Sequence, residues 1–167
     1  MQAHEKVKRK SIKLYYLKML KRLQKFVDEM KSTSSLNEKK VIIDSIKNDS
    51  FITLSLNYTY DPYKKYYVTS KTCKKNNGLL KYNLYNHLFD LLDDLENRVI
   101  TGHDSIAAVN GFVAANPGYE DLIFSIIDRN LEIRASDSVI NKVIPNLIPT
   151  FDVALATKYE PKFCDFQ

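Results

Sequence analysis

The chain has 167 residues, 44% of them apolar and 27% charged, with a formal net charge of +5. That length suits a single domain with an ordinary core, and no apolar run approaches the roughly 20 residues that cross a bilayer. The basic N-terminus is followed by no apolar block of a secretory signal, and Cys73 and Cys164 make neither a disulfide framework nor a four-ligand zinc set, so cytoplasmic residence is expected.

The positive charge is unevenly placed. Residues 1–25 carry nine Lys/Arg against Glu5 alone, whereas the remainder holds 16 basic and 19 acidic residues. A second basic run, Lys64, Lys65, Lys71, Lys74, Lys75 and Lys81, has no acid between its ends, and residues 82–128 carry eight acids and one arginine. Clustered cations suit a polyanion, because phosphate binding scales with local neutralisation. A merely solvated basic helix satisfies the same charge pattern.

Taken in order, residues 5–31 form an amphipathic helix on Ile12, Tyr16, Leu20, Leu23, Val27 and Met30. Ser35 and Glu38 make a capping box that opens a second helix with Val41, Ile42 and Ile46 inward. Residues 51–60 alternate like a strand, yet Phe51, Leu54 and Tyr58 also fit a helical stripe; no partner strand is evident and helix is expected. Asp61-Pro62 is a turn or helix start, and Lys71 to Gly78 a polar connector. Leu79 to about Ile100 is expected as one helix on Leu84, Leu88, Leu91, Leu92, Leu95 and Val99. Thr101-Gly102 breaks the chain and restarts a helix through Ile106, Val109, Phe112 and Val113. Asn116-Pro117 is expected to open a helix ending near Leu131, and Ser136 to cap a last helix stopped by Pro145, before an extended tail. The two helix–break–helix units, around Thr101 and around Ser136, suggest a weak internal pseudo-repeat.

Catalytic signals are sparse. His4, His87 and His103 lack metal-ligand spacing, and the four glycines are isolated. Adjacent Asp93 and Asp94 on a helix cannot face each other as an acid/base pair. The eleven tyrosines are better core than base-stacking groups. Each break, by contrast, exposes backbone N–H groups at a helix N-terminus, a phosphate-binding geometry. Ordinary capping explains either break alone, and Asp104 and Asp137 oppose an anion; two breaks together permit a two-point grip.

The string Arg129-Asn-Leu-Glu-Ile-Arg134-Ala-Ser136-Asp-Ser138-Val-Ile-Asn141-Lys142-Val-Ile-Pro145-Asn-Leu-Ile-Pro149 resembles the Arg-Asp-Leu…Gly-Ala-Ser…Ile-Ala-Asn-Lys-Val…Leu-Ile-Pro pattern of phage ATP-dependent DNA ligases. Upstream, Thr101-Gly102 is similar to that family's Leu-Thr-Gly helix start. The resemblance spans roughly residues 20–160 and is specific over 125–159, and Arg134 stands where the pattern has glycine. It implies an all-α, multi-helix DNA-binding domain that grips a nicked duplex through minor groove and backbone without reading sequence. The expected division is a basic extension over 1–20, the helical domain over 21–149, and a linker over 150–167 toward a nucleotidyltransferase domain. No Lys-x-Asp-Gly occurs, so Lys158 and Lys162 are not expected to be catalytic, and no catalytic or metal residue is assigned. The resemblance implies ATP and Mg2+ only for the absent catalytic domain, supplied in cis or as a separate chain.

The partner so implied is double-stranded, nicked DNA, with no membrane and a monomeric state, in the cytoplasm of an infected host cell if the gene is a phage's. The DNA contacts would come from Lys64, Lys65, Lys71, Lys74 and Lys75, from Arg98, Thr101, Gly102 and Ser105, and from Arg134, Ser136, Ser138, Asn141 and Lys142. The alternatives are a helical protein-interaction module docking the 5–31 helix on an acidic surface, and a stand-alone nucleic-acid adaptor.

Overall fold

A computed structural model describes residues 2–150, and eight helices account for their regular structure. They are α1 (Gln2–Lys31), α2 (Leu36–Ser45), α3 (Ser50–Tyr60), α4 (Ser70–Lys75), α5 (Leu88–Glu96), α6 (Gly102–Ala115), α7 (Glu120–Ile127) and α8 (Asp137–Val143). No strand occurs among the described residues. The tail after Pro149, the segment 155–159, Lys158, Lys162 and Cys164 fall at or beyond residue 151 and lie outside them.

The core forms where helical stripes meet. Helix α1 buries Tyr16, Leu20, Leu23, Phe26, Val27 and Met30 against α2 and α3. Helix α6, buried nearly all round from Ser105 to Val113, is the central element, touched by α4, α5 and α7. Helix α2 packs on α8. An aromatic group closes one end of the core: Tyr16 meets Phe51, His87 and Phe112 edge-on at 5.1–6.3 Å. The Tyr16 hydroxyl accepts from the Leu88 amide at 3.1 Å, tying α1 to the start of α5.

Helix is the outcome at 50–60. Phe51, Ile52, Ser55, Leu56 and Thr59 are buried, and the hydroxyls of Ser55 and Thr59 donate to the carbonyls of Phe51 and Ser55, both at 2.7 Å. The Ser35 cap also forms, accepting from the Glu38 amide at 3.4 Å, but the box closes through Thr33. Thr33 donates to the Glu38 carboxylate and accepts from the Ser35 amide.

Several expectations are corrected. On α2 the buried apolar residue is Ile43, with Ile42 and Ile46 partly buried against the core, while Val41 is exposed. Residues 71–75 lie in α4 rather than in a connector. The helix expected over 79–100 begins only at Leu88 and ends at Glu96, because residues 79–82 run across α6. There the Lys81 amide donates to the Ala107 carbonyl at 3.1 Å, and Leu84 and Val99 are left exposed. Asn116 ends α6 rather than opening α7: its side chain donates back to Phe112 O at 2.8 Å, and α7 runs only from Glu120 to Ile127. The structure does not confirm the pseudo-repeat. Glu96 closes α5, whereas its counterpart Glu132 lies beyond α7 with φ 57°.

His87 caps α5, its Nδ1 accepting from the Phe89 amide at 3.1 Å. Burial lowers its pKa from the ordinary 6.5, with Asp90 opposing. The neutral ring is thus favoured in the fold. Its contribution to stability is complete above the unfolded pKa and is lost as pH falls through the lower folded value. His87→Asn, which keeps a capping acceptor and removes the titration, is expected to show less acid destabilisation than wild type in urea melts between about pH 7.5 and about pH 5. An equal loss in both proteins would place the effect elsewhere.

Candidate nucleic-acid interface

The end of α3 and the loop after it join the two breaks. On one side the Tyr58 hydroxyl donates to Asp93 at 2.7 Å, and the Lys64 ammonium meets Glu96 at 3.0 Å. The Arg98 guanidinium lies 4.4 Å from the centre of the Tyr67 ring. On the other side, Arg129 Nη2 donates to the Asp61 carbonyl at 2.5 Å, and the Tyr60 hydroxyl accepts from the Leu131 amide at 3.1 Å. Asn57 donates to Leu147 O at 2.9 Å. The breaks after α5 and after α7 are therefore both anchored on residues 57–67, although neither touches that segment in any way the sequence signalled.

Both breaks place arginine in the left-handed region, Arg98 at φ 55° and Arg134 at φ 53°. For non-glycine residues that conformation costs about 1–2 kcal/mol. At Arg134, set against glycine in the resemblance above, φ is one that glycine adopts without strain. Both side chains are exposed.

A residue the sequence did not single out holds the second break. Lys39 on α2 is only 2% exposed, and its ammonium donates to the carbonyls of Ile133 at 2.7 Å and Arg134 at 3.0 Å. The sequence signal was faint: a lysine flanked by Glu38 and Lys40 on a short helix usually points to water.

The N-termini after the breaks differ. Thr101 caps the 14-residue α6 without a side-chain hydrogen bond, so the first amides beside Gly102 (φ 58°) lack a side-chain partner. Ser136 closes the seven-residue α8 itself, accepting from the Val139 amide at 3.4 Å and lying 2.9 Å from Ser138 Oγ.

Among the remaining candidates, Lys65, Lys71, Lys74, Lys75 and Lys142 are exposed, with Lys74 set 5.2 Å from the Phe124 ring centre. Three are not available as expected. Ser105 is buried. Asn141 spends its amide on both backbone groups of Ile148, each at 2.9 Å, and so ties α8 to the chain after it. Lys64 is committed to Glu96 and lies 4.5 Å from the centre of the Tyr58 ring.

Three of the four acids of α5, Asp93, Asp94 and Glu96, are committed too. Asp93 accepts from Tyr58, and Asp94 accepts from Tyr85 at 2.6 Å. Burial, and then the Asp94 hydrogen bond, pushes the Tyr85 pKa up to about 12. Burial, and then Asp93, raises that of Tyr58. Among the described residues no group of three His, Cys, Asp or Glu side chains could hold a metal ion, and no helix is long and apolar enough to cross a membrane.

What the geometry defines is an all-α domain whose polar features gather at helix ends. No family model matches the chain. It is similar to the DNA ligases of Enterobacteria phages T4 and T6, 28% identical to each over 143 residues, covering 83% of this chain and 29% of each relative. The chain thus spans less than a third of those relatives' length. Two solved structures, Pmar-Lig_PreS3 and Pmar-Lig_Pre, share the fold with TM-scores of 0.58 and 0.59. Their identities are 17% and 18%, over 76% and 83% of this chain and 31% and 35% of theirs. The phage similarity supports the recognition carried by residues 125–159, an N-terminal DNA ligase domain.

Proposed function

We propose that this chain holds double-stranded DNA around a nick, by backbone and minor-groove contacts and without reading sequence, as the N-terminal part of an ATP-dependent DNA ligase. The observation that carries this reading is the anchoring of both breaks on residues 57–67, each with an exposed left-handed arginine. Arg98 and Arg134 reach phosphate on either side. Lys65, Lys142 and the exposed lysines of α4 add charge, and the open start of α6 at Thr101-Gly102 supplies backbone donors. Ser136 and Ser138 serve mainly as the cap of α8. ATP and Mg2+ belong to the catalytic part of the whole enzyme, and no step of that chemistry is assigned to these residues.

Binding to a nicked duplex is expected to weaken steeply with salt, since each neutralised phosphate contributes about −0.9 to the slope of log K against log salt. Arg134→Gln with Lys142→Gln should lower that slope by about 2, alike on unrelated sequences. Absence of duplex binding at low salt would sink the reading, and an unchanged slope in the double variant would remove this face from it.

A further inference from the structure

Helix α1 continues well beyond the core it serves. Tyr16 is its first buried residue, and Gln2 to Tyr15 are all exposed. A free helix of that length is marginal in water, so it owes its order to the packed turns that follow.

Its charges are as unsupported as its surface. Arg9 is answered by Glu5 at 2.7 Å, Arg22 by Asp49 at 2.9 Å, and Lys25 lies 3.9 Å from Glu29. Lys6, Lys8, Lys10, Lys13, Lys18 and Lys21 have no anionic partner among the described residues. Lys6 and Lys10, Lys10 and Lys13, and Lys18 and Lys21 are spaced as neighbours on the helix surface, where like charges repel. Six uncompensated ammonium groups thus lie along about 22 Å of rod, at 1.5 Å per residue.

Two observations select the partner. At about 100° per residue, the exposed apolar residues Val7, Ile12, Leu14 and Tyr15 are strung over an arc of about 160° rather than the narrow line of anchors that a helix lays into a protein groove. Lys6, Lys10, Lys13 and Lys21 instead fall within an arc of about 80°, with Lys18 about 60° further round, and that line of charges suits the run of a phosphate backbone better than one carboxylate cluster. The base of the rod also overhangs a cleft of about 510 Å³ whose walls include Arg9 and Lys13 on α1 and, from the segment that crosses α6, Lys81, which is paired with Asp104 at 3.1 Å.

We propose that the projecting half of α1, with Lys18 and Lys21, is a second duplex-binding surface that follows the phosphate backbone on the flank of the segment held by the two breaks. It rests on the reading that the domain binds duplex DNA. B-DNA offers one phosphate charge per about 1.7 Å of axis, so the lysine rod has enough phosphates alongside it to neutralise every unpaired ammonium. The contact is sequence-independent and adds affinity only where the duplex is long enough to reach the rod.

The test compares the full chain with a variant carrying Lys→Gln at positions 6, 8, 10, 13, 18 and 21, on nicked duplexes of ~30 and ~12 base pairs across a salt series. Glutamine keeps helix propensity, and all six side chains are exposed. On the long duplex the variant is expected to lose at least tenfold in affinity at low salt, and its salt slope should fall by about 3 to 5. On the short duplex it should match wild type within about twofold, and six Lys→Arg replacements should restore long-duplex binding. Equal slopes on the long duplex, or equal losses on both lengths, would overturn the second surface. If wild type bound neither duplex, the underlying reading would fall with it, a result separable from the first two because the wild-type curve alone shows it.

Discussion

Gly111→Ala is expected to destabilise the protein by about 2–4 kcal/mol, although alanine is the better helix former by about 1 kcal/mol. A Cβ at position 111 would lie 1.9 Å from the Lys81 carbonyl oxygen and 2.6 Å from its carbon. Those are backbone atoms, and they cannot step aside as a side-chain tip does. The crossing segment is also pinned nearby: Asn110 donates to the carbonyls of Cys73, Asn76 and Leu79 at 3.0–3.2 Å, and Lys81 N to Ala107 O. Relief requires lifting residues 79–82 and breaking several of these bonds. At roughly 2–4 °C per kcal/mol for a chain of this size, the melting temperature should fall by about 4–16 °C. Gly78→Ala, with nothing within 4 Å, is the control and should be near neutral. A stabilised Gly111→Ala protein would mean the crossing yields freely.

The second large effect is expected at Lys39. Replacement by methionine keeps the length and the apolar stem, yet leaves the carbonyls of Ile133 and Arg134 without their donor in a buried place. Hydrogen bonds from charged donors contribute about 1.5–3 kcal/mol each, and an orphaned acceptor bears a desolvation cost of similar size. A net loss of about 2–4 kcal/mol is expected, after the small gain from an uncharged side chain. The effect should extend to binding. Lys39 fixes the backbone on which the left-handed Arg134 stands, so Lys39→Met protein kept folded at low temperature should bind nicked duplex as weakly as Arg134→Gln. Denaturant melts read the first effect and duplex titration the second. Full-strength binding by the methionine variant would show that the break keeps its shape without the lysine.

Much of the fold was legible because its signals were local. The stripe from Tyr16 to Met30, the Ser35 and Ser136 caps and the break at Thr101 are short-range patterns, and all appear in the structure. Residues 51–60 looked like a strand because Ser55 and Thr59 read as outward polar positions, whereas a helix hides both hydroxyls on carbonyls four residues back. Residues 79–87 read as helix from their leucines. What overrides that reading is a contact with α6 some thirty residues away, which no window on the sequence contains. The candidate interface was legible only in part. Exposed cations at breaks follow from composition and punctuation. The burial of Ser105, the clamp made by Asn141, the Lys64–Glu96 pair and the 57–67 anchor are tertiary facts. Lys39 was missed because its partners are backbone carbonyls some 95 residues on.

Helix α1 contains neither glycine nor proline between Gln2 and Lys31, so it has no joint at which the exposed half could swing. Its aim is therefore set by phase. A single inserted residue between Lys13 and Tyr16 would turn everything upstream by about 100° relative to the body, while seven would nearly restore the bearing at a greater reach. The spacing of this helix, and not only its charge, would then be part of what the domain encodes.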